Sequence, residues 1–292
     1  AKPWFEVCLG LRMPPVLTSC ALDCWNWEKV DPSADFSVDN LRLACSMTGT
    51  TTEKQFHMVP CAMQKAAAEV VPKVFLADLL VRGERLQALA DLLGELTDVL
   101  AKFREIFGRV PDGVDVDVFY DVYRPLLDGF HPKGVVLQQV EPAAAAAAAE
   151  TLAGLVAVGR GKVSTVAKGP SAGQSTMIIL FDIFLGVAHC PSGAEFQAEM
   201  LRYMPEPHRR MVQDYRKRWQ GLGSARSFVE SRREGHGEAG KRLARAFDDC
   251  VHALRDLRRF HLNTVARYLT RTETGTGAST WRTFLQGCLE ST

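Results

Sequence analysis

Apolar residues recur at steps of three and four along two long stretches of the chain. Between Pro72 and Val110, Leu86, Leu89, Leu93, Leu96, Leu100, Phe103 and Phe107 form one stripe, which predicts an amphipathic helix with a buried face. Gly94 weakens the segment and Gly83 marks a turn between two helices. A coiled coil has the same spacing, but the apolar flanks Val74, Phe75 and Leu79 favour a helix packed into a globular core. From about Ala239 to Thr270, Leu243, Phe247, Val251, Leu254, Leu257, His261, Val265 and Tyr268 share a face and predict the last long helix. Between Ser171 and Cys190, apolar residues surround a single charge, Asp182. A helix apolar all round is buried, and this one is too short to span a bilayer.

The remaining segments are less patterned. A helix is predicted around Asp117 to Leu127, kinked or stopped by Pro125. Residues 130–169 show no clear periodicity, and Ala143 to Ala149 form an alanine tract within an insertion or loop at 141–168. Residues 205–240 are polar and basic, with acidic residues interspersed, and read as a solvated helix and loop. There is almost no strand signal and no internal repeat. The class expected is all-α, one large domain over 1–292 with helices packed round a buried centre.

Composition narrows the function classes. Hydrophobic residues at 47% and charged residues at 24% exclude a largely disordered chain. Lys plus Arg is 35 against 34 for Asp plus Glu, so nothing argues for a nucleic-acid partner. No run is long enough for a transmembrane helix, and residues 1–10 show no signal-peptide pattern. The eight cysteines are scattered, Cys20 and Cys24 being spaced CxxxC. They read as reduced thiols of a cytoplasmic protein, since no His/Cys pair completes a zinc site at typical spacing.

Chemistry concentrates in four places. His261 stands where the apolar stripe demands a hydrophobic residue. It is either a core histidine satisfied by a hydrogen bond or an axial ligand to a haem iron, which needs a neutral imidazole in an apolar pocket. Arg258, three residues earlier, shares that side of the helix. Asp182 is costly to bury alone, so an Asp182–Arg258 pair beneath a cofactor pocket is the economical arrangement. Phe119 and Arg124 flank a second constellation, FYDVYR, suited to holding an α-carboxylate bidentately beside an apolar wall. A surface arginine paired with Asp121 or Asp128 is the plainer alternative. Gly169 to Thr176, GPSAGQST, offers small residues for close approach of a flat ligand, or a plain N-cap by Ser171 or Ser175. Gly275 to Thr280 is a polar loop, a lid or simply a linker.

In combination, GPSAGQS, RYMP and the RRFHLNTVARY segment resemble indoleamine 2,3-dioxygenase, a family that includes oxygen-binding myoglobins of molluscs. The resemblance runs from Lys2 to Thr292. It implies an all-α large domain that holds haem b, with the family's smaller N-terminal domain absent. His261 would be the proximal iron ligand, with Arg258 and Asp182 in the polar network near the haem and Ser171, Ala172 and Gly173 along its edge. Arg124 would bind the substrate carboxylate and Phe119 pack the indole, with Phe56, Ser19 and Thr276 also at the substrate. The distal serine of many animal members falls on Pro60, a pocket tyrosine on Ser19 and a glutamate on Gln64, while His57 takes a usually aromatic position. The implied reaction inserts O₂ across the indole C2–C3 bond of L-tryptophan or a related indole, giving N-formylkynurenine and requiring an electron donor for ferric haem. Two alternatives remain: a non-catalytic haem protein that carries or senses O₂, and a haem-free helical module. A monomer is expected, or a subunit of a larger assembly if the chain is non-catalytic.

Overall fold

The computed structural model describes residues 2–137, 155–159 and 162–292. Among these, the helices are α1 (Lys2–Gly10), α2 (Thr51–Ala67), α3 (Val71–Phe75), α4 (Ala77–Arg82), α5 (Leu86–Phe107), α6 (Thr176–Leu185), α7 (Pro191–Met200), α8 (Glu206–Trp219), α9 (Ala225–Arg232), α10 (Gly237–Tyr268) and α11 (Trp281–Glu290). The predicted stripe becomes the inner face of α5, where Leu89, Leu93, Leu96, Leu100 and Phe103 are buried. It packs along α10, whose Leu243, Phe247, Cys250, Leu254 and Leu257 are equally enclosed. This is the most extensive helix pair in the fold. Each such leucine stabilises the core by about 1.5–3 kcal/mol. None of the described helices is long and apolar enough to cross a membrane.

Upstream of α5 the chain breaks twice rather than once, giving α3 and α4 as single turns. Pro72 near the start of α3 lacks a donor that the first turn does not need. The apolar helix α6 is buried as expected, with Leu180, Phe181 and Phe184 in the main core. It ends at Gly186, whose φ of +68° suits glycine, and whose added Cβ would lie 2.5 Å from Ser224 Oγ. The basic stretch forms α8 and α9. Val212, Tyr215 and Trp219 turn one face of α8 inward, leaving Arg210, Arg216 and Lys217 to solvent while Arg218 pairs with buried Asp78 at 2.6 Å.

Two short sheets depart from the sequence expectation. β1 (Glu28–Lys29) pairs antiparallel with β2 (Leu41–Arg42). β3 (Val135–Leu137), β4 (Val156–Gly159) and β5 (Lys162–Thr165) form an antiparallel sheet in the order β3-β5-β4. This sheet lies in the span 130–169, where the sequence shows no clear periodicity. The alanine tract at 143–149 lies outside the described residues.

A second apolar cluster joins Met58 and Val59 of α2 to Phe119, Tyr123 and Tyr268. Between this cluster and the main core the helices leave a cavity.

Candidate functional site

The cavity has a volume of about 400 Å³, within the range of small-molecule and prosthetic-group sites. One wall is α10. Leu254, Leu257, Arg258, His261 and Val265 all line the cavity, because steps of three and four keep them on one side. His261 is tilted against Phe107, ring centroids 5.3 Å apart. No hydrogen bond among the described residues engages its ring, so the hydrogen-bonded core histidine of the plainer reading is not what is seen. Burial pulls the imidazole down to about 4, and the Arg258 charge adds to the effect. It is therefore neutral at pH 7, as an iron ligand must be.

Asp182 of α6 and Arg258 of α10 meet on this wall. Asp182 is 3% exposed. Its second oxygen faces His189 Nε2 at 2.8 Å and accepts from Gln197 Nε2 at 3.0 Å. Arg258 also donates to the Cys288 carbonyl at 3.1 Å and to Thr292 Oγ1. The pair was legible in the sequence; His189 and Gln197, contributed from the α6–α7 junction and α7, were not.

The opposite wall comes from α2 and from residues 118–127. Phe56, His57, Pro60 and Gln64 line the cavity from α2. Its start is fixed by Thr50, which accepts from Glu53 N at 3.2 Å. Glu53 is buried and accepts from Met47 N, Thr48 N, Ser46 Oγ and Thr48 Oγ1. Desolvation raises its pKa, but these bonds together hold it below the ordinary glutamate value. Pro60 removes one donor from the helix interior.

The predicted α-helix around 117–127 is instead a π turn, Val118–Tyr123, followed by a 3-10 turn, Arg124–Leu127. Arg124 N bonds to Phe119 O, the i to i+5 pattern. That wider turn brings residues five apart to one side, and both Phe119 and Arg124 line the cavity. Phe119 packs on Phe56 at 4.9 Å. Arg124 Nη2 donates to Thr274 O at 2.7 Å and Nη1 lies 3.3 Å from Asp128 Oδ1. Its Nε is buried without a partner, a donor that an anionic ligand at this wall would satisfy.

Ser171, Ala172 and Gly173 line the cavity edge. Ser171 caps the short 3-10 turn Ala172–Gln174, accepting from Gly173 N at 3.2 Å. Ser175 does not cap α6; its Oγ accepts from Gln64 Nε2 at 3.1 Å. The 275–280 loop is tied down rather than free. Thr276 Oγ1 donates to Pro170 O at 2.5 Å, and Gly169 N donates to Thr276 O at 3.1 Å.

The profile of the indoleamine 2,3-dioxygenase family matches residues 1–285. The chain belongs to the indoleamine 2,3-dioxygenase family. Indoleamine 2,3-dioxygenase 1 of Mus musculus is 30% identical over 274 residues, covering 93% of this chain and 61% of the relative. An indoleamine 2,3-dioxygenase of Aspergillus nanangensis is 27% identical over 283 residues, 92% of this chain and 63% of its own. A myoglobin of Haliotis diversicolor is 27% identical over 177 residues, 61% of this chain and 41% of its own. The chain thus spans about three fifths of the length of the two dioxygenases.

Against the indoleamine 2,3-dioxygenase resemblance, one group of residues stands out. Asp23, His57 and Tyr123 form a buried polar chain at the wall that carries Phe56. His57 Nδ1 lies 2.6 Å from Asp23 Oδ1, and its Nε2 meets Tyr123 Oη. Burial, with the charges of Glu53 and Asp23, raises the Tyr123 phenol well above its ordinary value. His57 thus bridges the Tyr123 hydroxyl and the Asp23 carboxylate through its two ring nitrogens. Ser19 joins through Oγ to Asp23 Oδ2 at 2.5 Å. Asp23 and Tyr123 escaped the sequence reading. The i,i+4 spacing of Ser19 and Asp23 was the available signal.

Proposed function

We propose that this chain is the haem-holding domain of a dioxygenase acting on L-tryptophan or a related indole. The observation that carries the reading is a neutral imidazole free of hydrogen bonds, His261, facing the same apolar cavity as the unpartnered Nε of Arg124. The residues fit the cofactor: His261 would ligate the iron of haem b from α10, with Asp182 and Arg258 holding that wall and Ser171, Ala172 and Gly173 against the macrocycle edge. Bound haem would supply the iron chemistry that activates O₂ for insertion across the indole C2–C3 bond. The protein's own contribution is placement. Arg124 fixes the substrate carboxylate, and Phe56 and Phe119 press on the indole and exclude water. Thr276, latched over the 170–173 loop, closes the rim. An electron donor would be needed to supply that haem in its ferrous form.

The test is direct. Ferrous, haem-loaded protein given L-tryptophan and O₂ is expected to accumulate the absorbance of N-formylkynurenine. A haem-loaded protein that binds O₂ reversibly and makes no product from any indole would instead support an O₂-carrying role. The Ser19–Asp23–His57 polar wall and the likeness to the Haliotis myoglobin favour that second reading.

A further inference from the structure

Two thiols stand beside the cavity wall and take no part in the site described above. Cys20–Cys24 is a π turn with Ser19 at its head, and Ser19 and Asp23 from this stretch line the cavity. The i to i+5 closure of such a turn brings residues four apart nearly over one another. Cys20 and Cys24, at its two ends, have their thiols in hydrogen-bond contact. That contact lowers the Cys24 thiol against the opposing effects of burial and the Asp23 charge, and together with burial it raises the Cys20 thiol. Cys20 therefore keeps its proton and shares it with the Cys24 sulfur. The half-buried Cys24 is the nucleophile, and the buried Cys20 is the thiol behind it.

A third thiol offers an alternative partner. Cys61 of α2 is buried, and burial, followed by the Cys24 and Asp23 charges, pushes it up to about 12. It stays protonated and is fixed on a helix. Cys20, already in contact with Cys24, is the partner that needs least backbone movement.

A disulfide across three intervening residues closes too small a loop to brace the fold. Its effect is local, because the sulfurs must close from contact to bonding distance with Asp23 inside the ring. Asp23 lies 2.6 Å from His57 Nδ1 and accepts from Ser19 Oγ at 2.5 Å, while Ser19 N donates to Gln174 Oε1 at 2.9 Å. Reshaping the turn disturbs these contacts together.

We propose that Cys20 and Cys24 form a reversible dithiol–disulfide switch that resets the Ser19–Asp23 wall of the cavity, with low-molecular-weight disulfides as the oxidant. The Cys24 thiolate attacks one sulfur of the small disulfide, breaking its S–S bond, forming a mixed disulfide and releasing one small thiolate. Cys20 gives its proton to that thiolate and attacks the Cys24 sulfur. The Cys20–Cys24 bond forms and the second small thiolate leaves. Two electrons pass from the protein sulfurs to the small disulfide, and excess small thiol runs the sequence backward. The switch operates whether or not an indole occupies the cavity.

The test treats the full chain, in haem-free and haem-loaded forms alike, with oxidised glutathione, followed by alkylation and non-reducing tryptic digestion. Trypsin cuts after Arg12 and Lys29, so Cys20 and Cys24 share the peptide Met13–Lys29, which holds no other cysteine. That peptide is expected to lose two hydrogens and take up no alkyl group, and dithiothreitol to restore both alkylation sites. Hydrogen exchange at the amides of residues 19–24 is expected to change on oxidation and return on reduction. A mixed disulfide that never resolves, a cross-link to the peptide holding Cys61, or two unreacted thiols overturns the proposal. So does a disulfide that leaves exchange at 19–24 unaltered. Cys61→Ser is expected to leave the oxidation intact, and Cys20→Ser to halt it at the mixed disulfide on Cys24. The peptide map of the parent protein decides the matter even where a variant fails to accumulate.

Discussion

Replacing Arg258 with Met removes the strongest partner of a carboxylate that is 3% exposed. Breaking a buried pair by deleting one member typically costs about 3–5 kcal/mol, because the remaining charge is stranded. Here Asp182 keeps two contacts, His189 at 2.8 Å and Gln197 at 3.0 Å, and the Cys288 carbonyl keeps Thr292 Oγ1 at 2.8 Å. The loss should therefore fall at the low end, about 3 kcal/mol, or a fall in Tm of about 6 °C at the shallow slope of a large domain. Asp182→Leu strands the guanidinium instead and should cost a similar amount. Combining the two changes leaves no unpaired charge, so the double variant should lie closer to the parent than either single variant, with a coupling of about 2 kcal/mol or more. Urea unfolding of the haem-free protein measures all four corners of this cycle, and repeating it in high salt should change little because the pair is buried. An Arg258→Met protein within about 1 kcal/mol of the parent, or a double variant as unstable as the sum of the singles, would show that the pair is exposed in solution and would refute the reasoning.

Other outcomes follow from the same geometry. His261→Ala should abolish the Soret band of protein reconstituted with haem; a retained band with unchanged position removes His261 as ligand. Arg124→Leu should weaken L-tryptophan about tenfold or more while leaving an indole without a carboxylate unaffected, read by titration of the haem-loaded protein; equal losses for both ligands would mean the arginine acts through the fold. Glu53 has a folded pKa below its unfolded one, so its stabilisation is complete above about pH 4.5 and is lost as pH falls through the depressed value. The stability advantage of the parent over Glu53→Gln should accordingly shrink on acidification below pH 4.5, and an advantage that grows there contradicts the assignment. At Gly169 an added Cβ would sit 1.8 Å from Leu127 O, backbone against backbone, so Gly169→Ala should cost about 3 kcal/mol or more; a variant as stable as the parent would mean the two loops are not in contact.

The helical class and the placement of His261 on the cavity face were legible because α10, a helix of 32 residues, repeats one apolar spacing from Leu243 to Tyr268. Asp182 and Arg258 were legible as a pair because a lone charge on an apolar helix needs a partner, and few candidates share its depth. What escaped is non-local or short. The β3-β5-β4 sheet consists of strands of three and four residues, too brief for alternation to stand above noise. The bonds joining Asp23, His57 and Tyr123 span 34 and 66 residues of sequence, and no local pattern encodes them. The π turn at 118–123 carries no propensity signal, since its residues differ from those of an α-helix only in how many occupy the turn.

That extra residue has an evolutionary edge. Around 118–123 the count matters as well as the buried side chains Phe119 and Tyr123. Deleting one residue would wind the segment back to ordinary pitch and swing Arg124 by about 100° about the axis, away from Phe119. In this stretch length is a constraint alongside identity, and a protein shortened here by one residue would have to find its anion anchor elsewhere.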